Sequence, residues 1–186
     1  RQMCIRDRYW EDHQIFTEEY ISGETVMQYL NRNQKEISSG TYIDRWQMRW
    51  LHFIWNGVTA YLEFWKRTGC TRMITDASPR NIIIPEFDYY TGTRLISISG
   101  REKTKLILDV FLSLYEKFIL DTERKFPGLK KMAEWEILFT VTLEVFGLKV
   151  GSKMLRTIKK TNKDLKLSPA RVKEYLDEIT KSGLLR

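Results

Sequence analysis

The chain has 186 residues, of which 42% are apolar and 13% aromatic, and its formal net charge at pH 7 is +7. This composition provides enough apolar side chains for a folded core, so we do not expect a disordered chain. No apolar run approaches the roughly 18 to 20 residues that a membrane-spanning helix needs. We therefore expect a soluble protein without a membrane span.

Residues 1–8, RQMCIRDR, resemble the in-frame translation of an adapter used in preparing sequencing libraries. We leave them out of the fold prediction, as one does with a tag or linker. We also expect the natural chain to begin near Tyr9, inside a longer protein. Without residues 1–8, Cys70 is the single cysteine, which excludes an internal disulfide and favours a reducing, cytoplasmic location.

Taken in chain order, the first predicted element is a short strand at residues 13–21, HQIFTEEYI. Ser22 and Gly23 interrupt it, and a short helix is predicted from Glu24 to Leu30. The polar stretch that follows, residues 31–40, is predicted to be a loop.

A long helix is predicted from Tyr42 to Arg67, with Gly69 as its stop. Large apolar side chains recur there at helical spacing and form a stripe along one face. The stripe consists of Trp50, Ile54, Val58, Tyr61 and Trp65.

Residues 73–84, MITDASPRNIII, place an acid and an amide five residues apart around a proline. Phosphoryl transfer from ATP needs a carboxylate that positions the attacking hydroxyl and oxygen ligands that hold Mg²⁺. Asp76 and Asn81 could supply these groups from one rigid loop. The alternative is an ordinary helix-to-strand connection in which Asp and Asn cap a proline turn.

The rest of the chain is predicted to be a β-hairpin followed by helices. The run Ile82 to Ile84 and the segment 94–99, RLISIS, are predicted to pair across a loop that contains Gly92. Everything after Gly100 is predicted to be helical. The last helix begins at Ser168-Pro169, an N-cap followed by proline at the first helical position, and ends before Gly183.

The segment DASPRN resembles the catalytic loop of the protein-kinase-like superfamily, with the pattern D-x-x-x-x-N. Its context is similar in order and spacing over roughly residues 13–120. FTEEYISGETVMQYL resembles the strand, hinge and helix that link the two kinase lobes. Residues 42–67 resemble the long helix before the catalytic loop, and residues 94–98 resemble the strand that leads to the D-F-G metal motif.

The resemblance implies an α+β, predominantly α-helical fold, namely a kinase-like C-lobe with a short β-hairpin after the catalytic loop. Residues 9–126 would form the hinge and the core of this lobe, and residues 127–186 a helical extension of it.

The resemblance also implies the site residues. Asp76 would be the catalytic base or hydroxyl-positioning carboxylate, and Asn81 a Mg²⁺ ligand. Ser78 is counted as catalytic because it stands where many protein kinases place a phosphate-contacting lysine. The hinge residues that would bind the adenine of ATP are Glu19, Tyr20 and Ile21.

One departure from the family pattern leaves two functional hypotheses open. The D-F-G position reads Ser97-Ile98-Ser99, so Ser97 would have to serve at the cofactor site where a metal-binding acid is usual. One hypothesis is an atypical ATP-dependent phosphotransferase whose acceptor is a small molecule or a protein. The other is a degenerate kinase fold, a pseudokinase, that binds nucleotide or acts as a scaffold.

A third hypothesis rests on charge. Residues 150–186 hold ten Lys and Arg residues against four Asp and Glu residues, and such a segment could bind the phosphates of a nucleic acid. Lys and Arg on exposed helix faces more often only keep a protein soluble. We therefore do not expect a nucleic-acid partner.

Overall fold

The computed structural model describes residues 4–10, 15–19, 22–85, 94–95, 101–104, 106–129, 134–161 and 168–183. Its elements are mostly helices with a few short strands, as the predicted α+β class requires. The strands are β1 (Cys4–Trp10), β2 (Ile15–Glu19), β3 (Gly23–Thr25), β4 (Arg72–Ile74), β5 (Ile82–Pro85), β6 (Arg94–Leu95) and β7 (Arg101–Lys103). The helices are α1 (Val26–Arg32), α2 (Gln34–Ser39), α3 (Ile43–Arg67), α4 (Ile107–Leu114), α5 (Asp121–Lys125), α6 (Glu134–Phe146), α7 (Leu148–Thr161) and α8 (Pro169–Ser182).

All of the strand pairs are antiparallel. Strands β3, β5 and β6 form one sheet in that order, and β1–β2 and β4–β7 form two further pairs. The predicted hairpin is therefore present, with Ile82 opposite Leu95 and Ile83 opposite Arg94. The expectation that everything after Gly100 is helical was wrong, because residues 101–103 pair with β4 instead.

A capping box at Thr25 fixes the N-terminus of α1. The Thr25 side chain accepts a hydrogen bond from the Gln28 amide at 3.1 Å, and Gln28 Oε1 accepts one from the Thr25 amide at 2.8 Å. This reciprocal capping box fixes where the chain turns from β3 into α1. The predicted loop at residues 31–40 was wrong: α2 lies there, and Ile37 anchors it in the core at 1% exposure.

The long helix α3 forms the centre of the fold. The predicted stripe is buried along its length, and α3 packs against α6 and against the 3₁₀ turn Pro127–Leu129. It ends at Arg67, and Gly69 follows in the left-handed conformation with φ of +67°, as predicted.

The C-terminal end of α3 is tied to the strand pair that follows it. Trp65 Nε1 donates a buried hydrogen bond to the Thr104 carbonyl oxygen at 3.0 Å. The Thr104 amide donates to the Thr71 carbonyl oxygen at 2.9 Å. Thr104 directly follows β7, so this pair of bonds fixes the exit of β7 against α3.

Between β7 and the C-terminal helices, the backbone stays helical from Ile107 to Lys125 but changes its winding. A π-helical segment, Tyr115–Leu120, joins α4 to α5. Phe118, in this segment, is fully buried and stacks on Trp50 with ring centroids 5.9 Å apart. A Cβ atom added to Gly57 would lie 2.5 Å from the Phe118 ring, so only glycine permits this close approach to α3.

The last three helices pack in sequence, α6 on α7 and α7 on α8. As predicted, α8 begins with Pro169 at its first position after the N-cap Ser168, and Gly183 ends it in the left-handed conformation. Val172, Leu176 and Ile179 form its buried face. Among the described residues, no helix is at once long enough and apolar enough to cross a membrane.

Candidate active site

The Asp76 loop, residues 75–81, connects β4 to β5. After Asp76 and Ala77 the chain is extended at Ser78 and then forms a single 3₁₀ turn over Pro79–Asn81. Proline suits the first position of such a turn because its φ is already helical and its missing N–H would have no partner there. The Asn81 amide closes the turn by donating to the Ser78 carbonyl oxygen at 3.1 Å.

The structure brings Asp76 and Asn81 together. Asn81 Nδ2 donates to the Asp76 carbonyl oxygen at 2.7 Å and lies 3.5 Å from the Asp76 carboxylate atom Oδ2. Asp76 is exposed and Asn81 is half-buried. The two side chains therefore lie side by side at the protein surface, where an incoming molecule can reach both.

Tyr61, in α3, supports the loop from below. Its phenol donates to the Ser78 carbonyl oxygen at 2.9 Å and lies 3.3 Å from the Asp76 carbonyl oxygen. Burial raises the pKa of Tyr61 well above its ordinary value, hydrogen bonding with Asn81 opposes that rise, and the negative charge of Asp76 adds to it. The phenol therefore stays protonated at neutral pH and remains a donor to the loop.

Lys117 supports the same loop from another side. Its Nζ donates to the Thr75 carbonyl oxygen at 2.6 Å, and Thr75 immediately precedes Asp76. Lys117 lies in the π-helical segment, next to the buried Phe118. Phe118 also packs edge-on against Tyr61, with ring centroids 6.1 Å apart, so the residue next to Lys117 contacts the other support of the loop.

Neither support was predicted from the sequence. Tyr61 was assigned only to the apolar stripe of α3, although a buried tyrosine hydroxyl usually needs a polar partner and thus carried a signal. Lys117 carried none, because its partner lies 42 residues away and a lysine within a helix is ordinarily solvated.

The side chain of Ser78 differs from those of Asp76 and Asn81 in its surroundings. The residue is half-buried, its Oγ is buried, and the part of the chain that the structure describes offers this hydroxyl no hydrogen-bond partner. A hydroxyl carries no positive charge, so Ser78 cannot attract phosphate as the lysine of the family pattern would. Its main-chain carbonyl, in contrast, accepts hydrogen bonds from both Tyr61 and Asn81.

Of the other predicted site residues, Glu19 alone lies among the described residues. Glu19 is the last residue of β2, where it lies opposite Cys4 of β1, whereas Tyr20, Ile21 and Ser97 lie outside the described residues. Just after the predicted hinge, β3 runs beside β5, with Thr25 opposite Ile83. The strand β3 is thus placed alongside β5, the strand that leaves the Asp76 loop.

The Asp76 loop carries carboxylate and amide oxygen atoms, which are of the kind that Mg²⁺ binds. Because Asn81 Nδ2 is bonded to the Asp76 carbonyl and lies 3.5 Å from the Asp76 carboxylate, the Oδ1 atom is the end of the amide left for a cation. Mg²⁺ in phosphate-handling sites is held by one or two protein groups together with substrate phosphates and water. Across the described residues, no three His, Cys, Asp or Glu side chains form a metal site of their own.

A surface depression of about 550 Å³ lies elsewhere, on α1 and α2. Its lining contains no acid and no residue of the Asp76 loop. The lining residues are Asn31, Arg32, Gln34, Lys35 and Ser38. The depression is therefore separate from the candidate site, and its lining supplies no carboxylate that could position an acceptor hydroxyl.

Comparison with known proteins adds no identification: no family model, no curated protein and no solved structure matches this chain. The Asp76 loop and the residues that contact it therefore provide the main indication of function.

Proposed function

We propose that this protein is a kinase-like phosphotransferase that uses ATP and Mg²⁺ and transfers a phosphoryl group to a hydroxyl of a small molecule or a protein. The observation that carries the proposal is the pairing of Asp76 with Asn81 at the surface. The hydrogen bonds that hold the loop go mainly to its main-chain carbonyl groups, which leaves the Asp76 carboxylate exposed for an acceptor.

In the proposed reaction the acceptor hydroxyl lies against the Asp76 carboxylate, which orients it and takes up its proton. The new bond forms between the acceptor oxygen and the γ-phosphorus as the bond to the β-phosphate oxygen breaks, and ADP is released. Asn81 would contribute Oδ1 to the cation. When bound, Mg²⁺ would neutralise the charge of the phosphates.

The decisive experiment measures ADP formation and phosphoryl transfer by the full-length protein. Replacing Asp76 with Asn keeps the shape of the side chain but removes the base, and general-base catalysis contributes about 10²- to 10⁴-fold. We expect Asp76→Asn to lower turnover by about 10³-fold while the affinity for ATP is unchanged. Asn81→Ala should raise the Mg²⁺ concentration needed for half-maximal turnover.

Asp121→Asn is the matched control, since this exposed acid lies at the start of α5 and pairs with Arg124, not with the loop. It should leave turnover unchanged. Equal turnover in wild type and Asp76→Asn would overturn the proposal.

One observation favours a second candidate, a degenerate kinase fold that binds nucleotide without turnover or serves as a scaffold. The sequence places Ser97-Ile98-Ser99 where the family pattern has its metal-binding acid, and the described residues offer no substitute cluster of acids. ATP would then raise the melting temperature equally with and without Mg²⁺, and no ADP would form. A purely scaffolding protein would show no shift.

A further inference from the structure

Lys117 is bonded to the Asp76 loop through a main-chain carbonyl and not through an acid. At 2.6 Å, the ammonium group donates to a neutral main-chain carbonyl, that of Thr75, and among the described residues Lys117 is paired with no acid. Hydrogen bonds from a charged donor are shorter and stronger than those between neutral groups. The bond acts on the peptide unit that leads directly into Asp76.

The winding of the helix explains how Lys117 reaches the loop. A π-helical turn contains about one more residue than an α-helical turn and is frequently found at functional sites. Within Tyr115–Leu120, Phe118 and Ile119 are buried together, Glu116 is exposed, and Lys117 is half-buried between them. This arrangement directs the lysine along the protein surface to the loop while the two apolar residues remain in the core.

We infer that Lys117 is a positioning residue of the proposed phosphotransfer site: by holding the Thr75 carbonyl, it fixes the Asp76 carboxylate beside Asn81. The inference rests on the proposed function for its catalytic consequence. In this role the residue acts through the loop, by its bond to the Thr75 carbonyl oxygen. Tyr61 holds the far side of the same loop at Ser78, so the loop is fastened on both sides of Asp76.

The chain offers a matched control for this bond. Lys66, in α3, also donates from Nζ to a main-chain carbonyl oxygen, that of Val145 at 2.9 Å, near the end of α6. Lys66→Met therefore removes a bond of the same kind without touching the Asp76 loop. Lys117→Met removes the loop bond while keeping most of the side-chain length, and Lys117→Arg keeps a charged donor at that position.

The first measurement is amide hydrogen exchange in the absence of nucleotide. We expect residues 76–81 to exchange about tenfold faster in Lys117→Met, because the loop opens more often once a charge-assisted bond is lost. Lys117→Arg should restore most of the protection, and Lys66→Met should leave these residues unchanged. Unchanged exchange in Lys117→Met, or equally faster exchange throughout α3 and α6, would overturn the inference.

The second measurement is steady-state turnover. Misplacing a catalytic group by about 1 Å can cost about 10²-fold in rate, so Lys117→Met should lower kcat by about ten- to hundredfold. The KM for ATP should stay the same, and Lys117→Arg should recover most of the loss. A kcat equal to that of wild type, or a loss that Lys66→Met reproduces, would refute the positioning role.

The two proposals can fail separately. If wild type forms no ADP but Lys117→Met alone loosens residues 76–81, Lys117 does position the loop and phosphotransfer is the proposal that fails. If wild type is active and the exchange of residues 76–81 is the same in all variants, the role of Lys117 is the one that fails.

Discussion

Glu123 and Asp76 are both acids next to α3, but Glu123 lies inside the core at 5% exposure, whereas Asp76 lies at the surface. In the core, the Glu123 carboxylate itself accepts a hydrogen bond from Trp50 Nε1 at 2.9 Å. At the surface, the bonds from Tyr61 and Lys117 go to the main chain around Asp76. A carboxylate that is bonded within the core stabilises the fold. The exposed Asp76 carboxylate has only a long 3.5 Å contact with Asn81 Nδ2 and is held mainly through its backbone, so it remains available to a ligand.

Phe118 links the two regions. Its ring stacks on Trp50 on one side and meets Tyr61 edge-on on the other. The packing of Phe118 thus fixes both Trp50, the hydrogen-bond partner of Glu123, and Tyr61, which holds the Asp76 loop. Substitutions of Phe118, or of a residue packed on its ring, should therefore disturb both the core around Glu123 and the Asp76 loop. A substitution of Glu123 or of Asp76 should disturb only its own region.

The largest effect on stability is expected from removing the buried acid. Glu123→Ala leaves the buried indole N–H of Trp50 without its acceptor and opens a cavity, which together cost about 2 to 4 kcal/mol. For a chain of this size that lowers Tm by roughly 5 to 15 °C, measured by thermal unfolding. Asp76→Ala is the comparison, and at an exposed position it should change the unfolding free energy by no more than about 0.5 kcal/mol. Similar losses in both variants would remove the distinction between the two acids.

The next largest effect is expected where α3 meets the π-helical segment. A methyl group in Gly57→Ala would collide with the Phe118 ring, and overpacking of this kind costs about 1 to 3 kcal/mol. Denaturant unfolding measures the loss. Adding Phe118→Leu should relieve the collision, so the double variant should be more stable than the sum of the two single losses predicts. Additive losses would indicate that the close approach is not what requires glycine.

The smallest effect is expected at the tyrosine under the loop. Tyr61→Phe removes one hydrogen bond and should lower the unfolding free energy at pH 7 by about 1 kcal/mol. The substitution should also change how the unfolding free energy depends on pH. Because burial raises the pKa of Tyr61, the folded phenol keeps its proton above pH 10 while the unfolded one loses it. Wild type should therefore lose stability as the pH rises beyond about 10.

Denaturant unfolding from pH 8 to 11 tests this sign. The loss of unfolding free energy at alkaline pH should be smaller in Tyr61→Phe than in wild type, because the variant lacks the phenol whose pKa is raised by folding. In Tyr42→Phe, which alters a tyrosine that is 70% exposed, the loss should match wild type. Equal slopes in all three proteins would contradict the assignment to Tyr61.

Local signals in the sequence were enough to predict several elements. The apolar spacing from Trp50 to Trp65 predicted α3, Ser168-Pro169 predicted the start of α8, and the Asp76–Asn81 spacing around proline predicted a loop that brings the two side chains together. In each case the signal lies within a few turns of helix or a few residues of loop, where side-chain periodicity and turn chemistry operate.

Elements that depend on distant partners were missed. The charged tripeptide Arg101–Lys103 has no strand pattern of its own and is a strand because β4 lies beside it. One buried side chain, Ile37, holds α2 in place within a polar stretch. The contact between Lys117 and Thr75 depends on the winding of a helix that side-chain periodicity did not reveal.

The connection between β7 and α4 bears on how the protein could be controlled. Residues 104–106 alone join the two elements, and Thr104 is held at its amide by Thr71 and at its carbonyl by Trp65. A residue held on both sides in this way cannot swing across the Asp76 loop as part of a lid. Under the proposed function, on–off control of access to Asp76 would therefore have to act through residues other than Thr104.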